Sequence, residues 1–462
     1  MRIHATRPTG KVQPFAANET FFSTTDRRGI ITAGNTVFAR TSGYALEELV
    51  GQPHNLIRHP DMPRVVFHRL WQAMKAGRPF SGYVKNQARN GNHYWVFALL
   101  VPVEDEILSV RIKPTSSLLE TVELLYRELL SAEDAALAQG ASESQACAAA
   151  AALLPSLLAG LHFEDYESFA HHALNREIKS RDAELRRLGL TLFRRELQGR
   201  QSSGLARFHG QALSAYERLC GLFGSLDAFV ELHQSIRERQ RAVASLAEDL
   251  RLGALNAHIA AHPLGDQGVT VATLASALNG HGRVVTRNLS TLAEAITVTT
   301  QAAAGIAAHI SSSRVLIEVL LGFIAEIAVT PAESDQQERL RGLCGHLCAA
   351  LSHMLAESKR ALEALASHIP RVRAGNEQLR QDIVYLQVVQ ISGLIEVARL
   401  PQADDLRASF TQLRDQVGQG KRELDALADI VAQLTGLAHS TPPQLAEVAL
   451  SAGRMDLPAL VA

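Results

Sequence analysis

The feature that most limits what this chain can fold into is a change of hydrophobic period near residue 116. Before it, short runs rich in β-branched and aromatic residues alternate with Gly, Asn and Asp turns. They are ETFFSTTD (19–26), GIITAGN (29–35), GYVKNQ (82–87), HYWVFALLVPV (93–103) and ILSVRIKP (107–114). NGNH (90–93) supplies a hairpin turn between two of them. Two strands, a helical stretch at Arg64–Ala76 and then a three-strand meander predict a small α+β domain.

After residue 116 strand signals nearly vanish. From Leu219 to Ala261 apolar positions step by alternating threes and fours, which is a coiled-coil seam. Pro263, Gly265 and Gly268 break it in HPLGDQG, and it resumes from Val271 to Ile296. The pattern predicts an antiparallel hairpin with its tip near 262–268. NEQLRQDIVYLQVVQISGLIEVARL ends at Pro401 and is followed by DDLRASFTQLRDQV, which predicts a second hairpin. The expected organisation is an N-terminal tail (1–18), an α+β domain (19–116), a helical connector (117–210), the first hairpin (211–330), the second (331–440) and a C-terminal tail (441–462).

Charge excludes one class of partner. Lys and Arg total 46 against 47 Asp and Glu, so no nucleic-acid groove or anionic membrane surface is expected. The four cysteines are scattered, as in a reducing, cytoplasmic compartment. Cys344 and Cys348 would share a helix face with His346 between them, which permits a metal or redox role, although small apolar core positions explain them equally. The opening MRIHATRPTG leads into no apolar segment, so no secretory signal is expected. Ala146–Leu161 is short, Ala-dominated and interrupted by Pro155, which predicts a helical hairpin and no membrane span.

One stretch holds the chemistry. GQPHNLIRHPDMPRVVFHRLW (51–71) crowds Asn55, Arg58, His59 and Asp61 ahead of an apolar helix ending in Trp71. Packing explains part of it: Pro63 suits a first helical turn, Asp61 a cap, and Val65, Val66, Leu70 and Trp71 a core face. It leaves the polar residues over. A buried Arg is costly unless paired, and Asp61 is its nearest candidate partner.

Residues 19–116 closely resemble the flavin-binding PAS domains of bacterial aerotaxis receptors. The resemblance rests on STTD (23–26), SGYALEELVGQPHNLIRHPDMP (42–63), VKN (84–86) and NGNHYWV (90–96). It implies a five-stranded antiparallel sheet with flanking helices holding FAD. It also implies flavin-site roles for Asn35, Arg58, His59, Asp61, Phe67, Trp71 and Asn86. The chemistry of the residues agrees. A flavin offers flat faces and an edge of carbonyl and imide groups, which suits an aromatic wall at Trp71 and amides at Asn35 and Asn86. Arg58 and His59 suit a pyrophosphate or a reduced ring. No cysteine precedes Cys147, so a cysteinyl-flavin photoadduct is ruled out and a redox readout is expected.

Leu246–Leu278 resembles the signalling tip of methyl-accepting chemotaxis receptors, keeping ALNA (254–257) and the Gly265, Gln267, Gly268 turn. The departures are Ala260, Pro263 and Val269–Val271, where that family carries the polar residues that dock its kinase and coupling protein. The combined expectation is a non-enzymatic redox or energy sensor, working as a homodimer toward a signalling protein, with coupling to the chemotaxis kinase doubtful. The alternatives are a cofactor-free dimerisation scaffold, a working energy-taxis receptor coupled to that kinase, and a haem sensor using His54, His59 or His68.

Overall fold

Alternation of period two in the first part of the chain becomes one antiparallel sheet. The computed structural model describes residues 6–193, 203–262, 265, 268–330, 335–400 and 403–455. Strands β1 (Phe21–Asp26), β2 (Ile31–Gly34), β3 (Phe80–Gln87), β4 (His93–Val103) and β5 (Glu106–Ile112) are ordered β2-β1-β5-β4-β3. Helices α1 (Thr36–Ser42), α2 (Leu46–Leu49) and α3 (Arg64–Lys75) lie between β2 and β3 in sequence, with a 3₁₀ turn at His54–Ile57.

Register decides what each face carries. Arg111 lies opposite Phe21 and Ala98, Ser109 opposite Ser23, and Tyr94 opposite Asn86. Because side chains alternate, these residues share one face, and Phe22, Tyr83, Phe97, Leu108 and Val110 share the other. Phe38 of α1 lies against Arg111 on the first, which is therefore the inner face. On the other face Phe22 meets Phe323 edge-on at 4.8 Å.

Turn chemistry fixes the ends. Asp26 Oδ1 accepts from the Arg28 and Ile30 amides, and Gly29 sits between them at φ +82°. A side chain at Gly29 would press on the Trp71 ring at 3.1 Å, so both backbone and packing require glycine there. The hairpin before β4 closes through Ala88 N to Asn92 O at 2.8 Å, with Gly91 at φ +84°.

The chain then runs as helix: α4 (Leu118–Ala138), α5 (Glu143–Gly160), α6 (Tyr166–Leu188), α7 (Ser203–Ala261), α8 (Val269–Val329), α9 (Asp335–Ala398) and α10 (Asp404–Gly453). In α5, Ser142 and Gln145 form a capping box, and Ala146, Ala150, Leu154 and Leu158 bury one stripe at steps of four. Among the described residues no helix is long and apolar enough to cross a membrane. α10 continues without a break through residue 441, where the sequence suggests a tail.

Contacts divide the chain into two compact units, Met1–Gly224 with Gly305–Ser358 and Pro443–Ala462, and Ser225–Ala304 with Lys359–Pro442. The first holds the sheet, α1–α6 and segments of the long helices. Its helical part contains a buried ion cluster. Arg181 of α6 bonds Glu318 of α8, and Arg314 reaches Glu318 at 3.2 Å and Asp182 at 2.6 Å.

The second unit is wholly helical and contains two hairpin ends. Of the expected seam, Ile236, Val243, Ala257, Ala261, Val271, Leu278, Val285, Leu289, Leu292 and Ile296 are buried. The side chains of Leu226, Phe229, His233, Gln240, Ala247, Leu250 and Ala254 lie outside the described residues, as do Pro263 and Gln267 at the tip. Close approach is built in at Gly393, where any side chain would overlap the Phe410 ring of α10. Asn288 Nδ2 donates to Asp382 across α8 and α9 at 2.7 Å, and Asn376 Nδ2 to the Leu424 carbonyl across α9 and α10 at 3.1 Å.

Candidate functional site

The crowded stretch folds alongside the β3 edge. Arg58 makes an isolated antiparallel bridge with Asn86, and the His59 amide donates to the Lys85 carbonyl at 3.3 Å. Lys85 Nζ donates to Asp61 Oδ2 at 2.6 Å. The backbone thus brings Arg58, His59, Asp61 and Asn86 together.

His59 is 3% exposed, and its Nδ1 accepts from the Asp61 amide at 3.1 Å with the Asp61 carboxylate 3.4 Å away. Burial would raise the Asp61 carboxyl, but the Lys85 ammonium and the His59 and His93 charges outweigh it and hold the group below the usual range. Burial and the nearby Lys85 charge lower His93, whose ring meets His59 at 5.9 Å.

Arg58 and Phe67 also form a unit. The guanidinium lies 4.2 Å over the Phe67 ring and donates to the Met62 carbonyl at 2.8 Å. Burial and Arg64 lower its pKa, partly offset by Glu133. Trp71, one turn further along α3, packs against Gly29 in the β1–β2 turn.

Two sequence expectations change, both about Asp61. Asp61 neither caps α3 nor pairs with Arg58, because Lys85 and His59 engage it. The cap comes from α4: Glu133, fully buried, accepts from the Arg64 amide at 3.0 Å, the Val65 amide at 3.1 Å and Arg64 Nη1 at 3.3 Å. A carboxylate at a helix N-terminus answers both the unpaired N–H groups and the dipole. Asn35 has a structural role of its own. Its Oδ1 caps α1 by accepting from Phe38 N and also accepts from Phe22 N, each at 3.1 Å, while Nδ2 donates to the Thr20 carbonyl.

The histidines of the haem alternative do not converge. His68 is exposed and meets Gln72 at 3.0 Å, whereas His54 meets Arg111. Cys344 and Cys348 are buried, which pushes both thiols up, Cys348 to about 12. Among the described residues no cluster of three or more His, Cys, Asp or Glu is placed to hold a metal. His346 is half-exposed and reaches Glu106 at 3.1 Å instead.

On the inner face sequence reasoning named Asn86 and missed its neighbours. Asn86 Nδ2, Tyr94 OH, Ser109 Oγ and, from α1, Thr41 Oγ1 have no hydrogen-bond partner, although each residue is no more than 2% exposed. Arg111 joins them, donating to Ser23 Oγ at 2.9 Å and meeting His54 Nε2 at 2.7 Å. Burial lowers Arg111 to about 10, and burial with the Arg111 charge holds His54 well below its usual range. A signal was present in ILSVRIKP: Ser109 and Arg111 place polar groups at alternate positions of an otherwise apolar strand.

A second missed group is Glu177 of α6, also fully buried. It accepts from Tyr83 OH at 2.6 Å, Thr115 N at 2.7 Å, Ser116 N at 3.1 Å and Ser116 Oγ at 2.5 Å, fixing the exit from β5 into α4.

The profile of the PAS fold matches residues 31–110. The chain is 46% identical over 121 residues to the aerotaxis receptor of Escherichia coli (strain K12), which covers 25% of this chain and 24% of that protein. It is 37% identical over 81 residues to the nitrogen fixation regulatory protein of Klebsiella pneumoniae, covering 18% and 16%. It is 32% identical over 81 residues to the biofilm dispersion protein BdlA of Pseudomonas aeruginosa, covering 17% and 19%. The chain therefore spans a quarter or less of each relative, and the matched part holds the PAS domain. The first carries a receptor name and the second a regulator name.

Proposed function

We propose that this chain is a redox or energy sensor whose PAS domain holds FAD and controls the helical region. The observation that carries the reading is the set of unpartnered buried polar atoms on the inner face. Buried donors and acceptors are normally satisfied, so four such groups on one sheet face and on the helix covering it, with a buried guanidinium on the same face, support a polar ligand. The residues suit a flavin. Asn86 and Tyr94 offer groups to the ring edge, Trp71 and Phe67 apolar surface, and Arg58 and His59 donors for an anionic part. FAD would supply reversible electron uptake, and the protein supplies binding, orientation and electrostatics.

The chain's own residues offer a readout. Helix α3, which carries Phe67 and Trp71, is capped by Glu133 of α4, and β5, which carries Arg111, leads directly into the junction held by Glu177 of α6. A change on the inner face therefore has two buried carboxylates through which to shift α4 and α6. A bias of about 1.4 kcal/mol changes a two-state population tenfold.

The output is a protein partner, and the working form a cytoplasmic homodimer. Docking to the chemotaxis kinase is weak, because Ala260 and Val269 stand where the resemblance calls for polar groups. No step on a substrate is part of the reading.

The test is spectroscopic. Purified protein is yellow, with flavin absorbance at a stoichiometry near one per chain, and Trp71→Ala loses the flavin while staying folded. Stacking on an aromatic wall contributes about 0.5–1.5 kcal/mol beyond burial. Colourless protein that takes up no FAD on reconstitution overturns the proposal and favours a cofactor-free scaffold.

A further inference from the structure

Arg111 is a buried cation without a countercharge. It is 5% exposed, and among the described residues no carboxylate lies within ion-pair distance of it. Its partners are a hydroxyl and an imidazole, Ser23 Oγ at 2.9 Å and His54 Nε2 at 2.7 Å. A guanidinium has no acceptor, so His54 Nε2 must accept and the imidazole is neutral with its proton on Nδ1. Phe38 lies flat on His54, ring centroids 5.8 Å apart and interplanar angle 3°, and also faces the guanidinium at 5.9 Å. The site thus keeps a net charge of one, walled by an aromatic ring.

Such a charge is expensive. A buried ion without a partner costs several kcal/mol, and proteins tolerate it where something else supplies the opposite charge. The surroundings indicate what that is. The unpartnered Tyr94 hydroxyl and Ser109 hydroxyl project from the same sheet face as Arg111, Ser109 two residues before it on β5. Two hydroxyls and a guanidinium make a donor set for an anion held between sheet and helices.

We propose that Arg111, oriented by Ser23 and His54, is the anion-holding residue of the inner face, and that it favours the reduced, negatively charged form of the bound flavin over the oxidised form. The inference rests on the flavin reading and adds the residue that sets the sensing threshold. Two electrons from a donor, dithionite in the test, and one proton from water turn the neutral oxidised ring into one of charge −1 while the donor is oxidised. The fixed cation then gains the partner it lacks. Arg58, the cation already apparent in the sequence, rests on Phe67 and Met62 O beside β3 and is a separate group.

The experiment compares wild type, Arg111→Gln and Arg111→Lys as FAD-reconstituted full-length proteins, titrated with dithionite against a reference dye. In Arg111→Gln the preference for reduced over oxidised flavin falls at least tenfold, a downward shift of about 30 mV or more for a two-electron couple. Arg111→Lys keeps most of the wild-type potential, which a merely space-filling arginine would not predict. Flavin-loaded Arg111→Gln with an unchanged potential overturns the role of Arg111 and leaves the flavin reading intact. If Arg111→Gln loses flavin, the potential of Arg111→Lys decides: a value near wild type supports the proposal, and a tenfold or greater loss of preference overturns it. Wild type that takes up no FAD overturns the flavin reading and, with it, this inference.

Discussion

Two places in the first unit bury arginine, and they solve the problem differently. Between α6 and α8, Arg181 and Arg314 are matched by Glu318 and Asp182, and the nearby carboxylates push Arg314 above its ordinary pKa even though burial opposes them. On the inner face of the sheet Arg111 meets only neutral groups, and burial lowers it to about 10. The first arrangement is balanced in charge within the chain, and the second is not. A balanced buried charge holds elements in register, whereas an unbalanced one leaves room for a ligand to supply the missing charge.

The largest test of that contrast removes Glu318. Glu318→Gln leaves Arg181 without its carboxylate and Arg314 with only Asp182, and stability falls by about 3–5 kcal/mol in urea unfolding. The opposite sign is expected at the other site. In flavin-free protein Arg111→Met is neutral or stabilising by about 1–4 kcal/mol, since it removes a charge with nothing to offset it. Equal destabilisation by the two variants would erase the distinction.

Acid should separate the two places further. His54 beside Arg111 has its folded pKa held well below 6.5, and burial takes His171 of α6 to about 4. The unfolded chain protonates these imidazoles near 6.5 while the folded chain does not. Their contribution is therefore complete above 6.5 and is lost as pH falls from 6.5 toward 4. Urea midpoints at pH 7 and pH 5 measure this, and His54→Gln flattens part of the slope, while Glu318→Gln lowers both midpoints without removing it.

The smallest effect is at the surface. Arg218 and Glu447 pair with side chains 45% and 63% exposed, so Glu447→Gln costs less than about 1 kcal/mol and less still in high salt. A loss comparable to that of Glu318→Gln would show that burial is not what separates the sites.

Where one local rule decides, the sequence was readable. Period-two runs gave all five strands, and the expected helix at Arg64–Ala76 forms at Arg64–Lys75. Arg58, His59 and Asp61 stood out because their polarity exceeds what a cap needs, and the fold brings them together beside Asn86. What escaped depends on contacts across long stretches of chain. Glu133 caps a helix that begins 69 residues earlier, and a short-range rule pointed to Asp61 instead. The cap that Asn35 gives α1 was also not read from the sequence. Arg111 is hidden because a strand residue's face is fixed by pairing register, which one strand alone does not reveal.

The Glu177 carboxylate bears on modularity. It holds Thr115 and Ser116 from a position about sixty residues further along the chain, so the α+β domain is not finished when its last strand is made. During synthesis β5 leaves the ribosome well before the group that fixes its exit, and until α6 arrives two backbone donors and the Tyr83 hydroxyl depend on water. A boundary obvious to sequence comparison is thus not a boundary for folding. Recombination that joined this PAS domain to a different helical region would carry over the sheet and leave behind the side chain that fixes its exit.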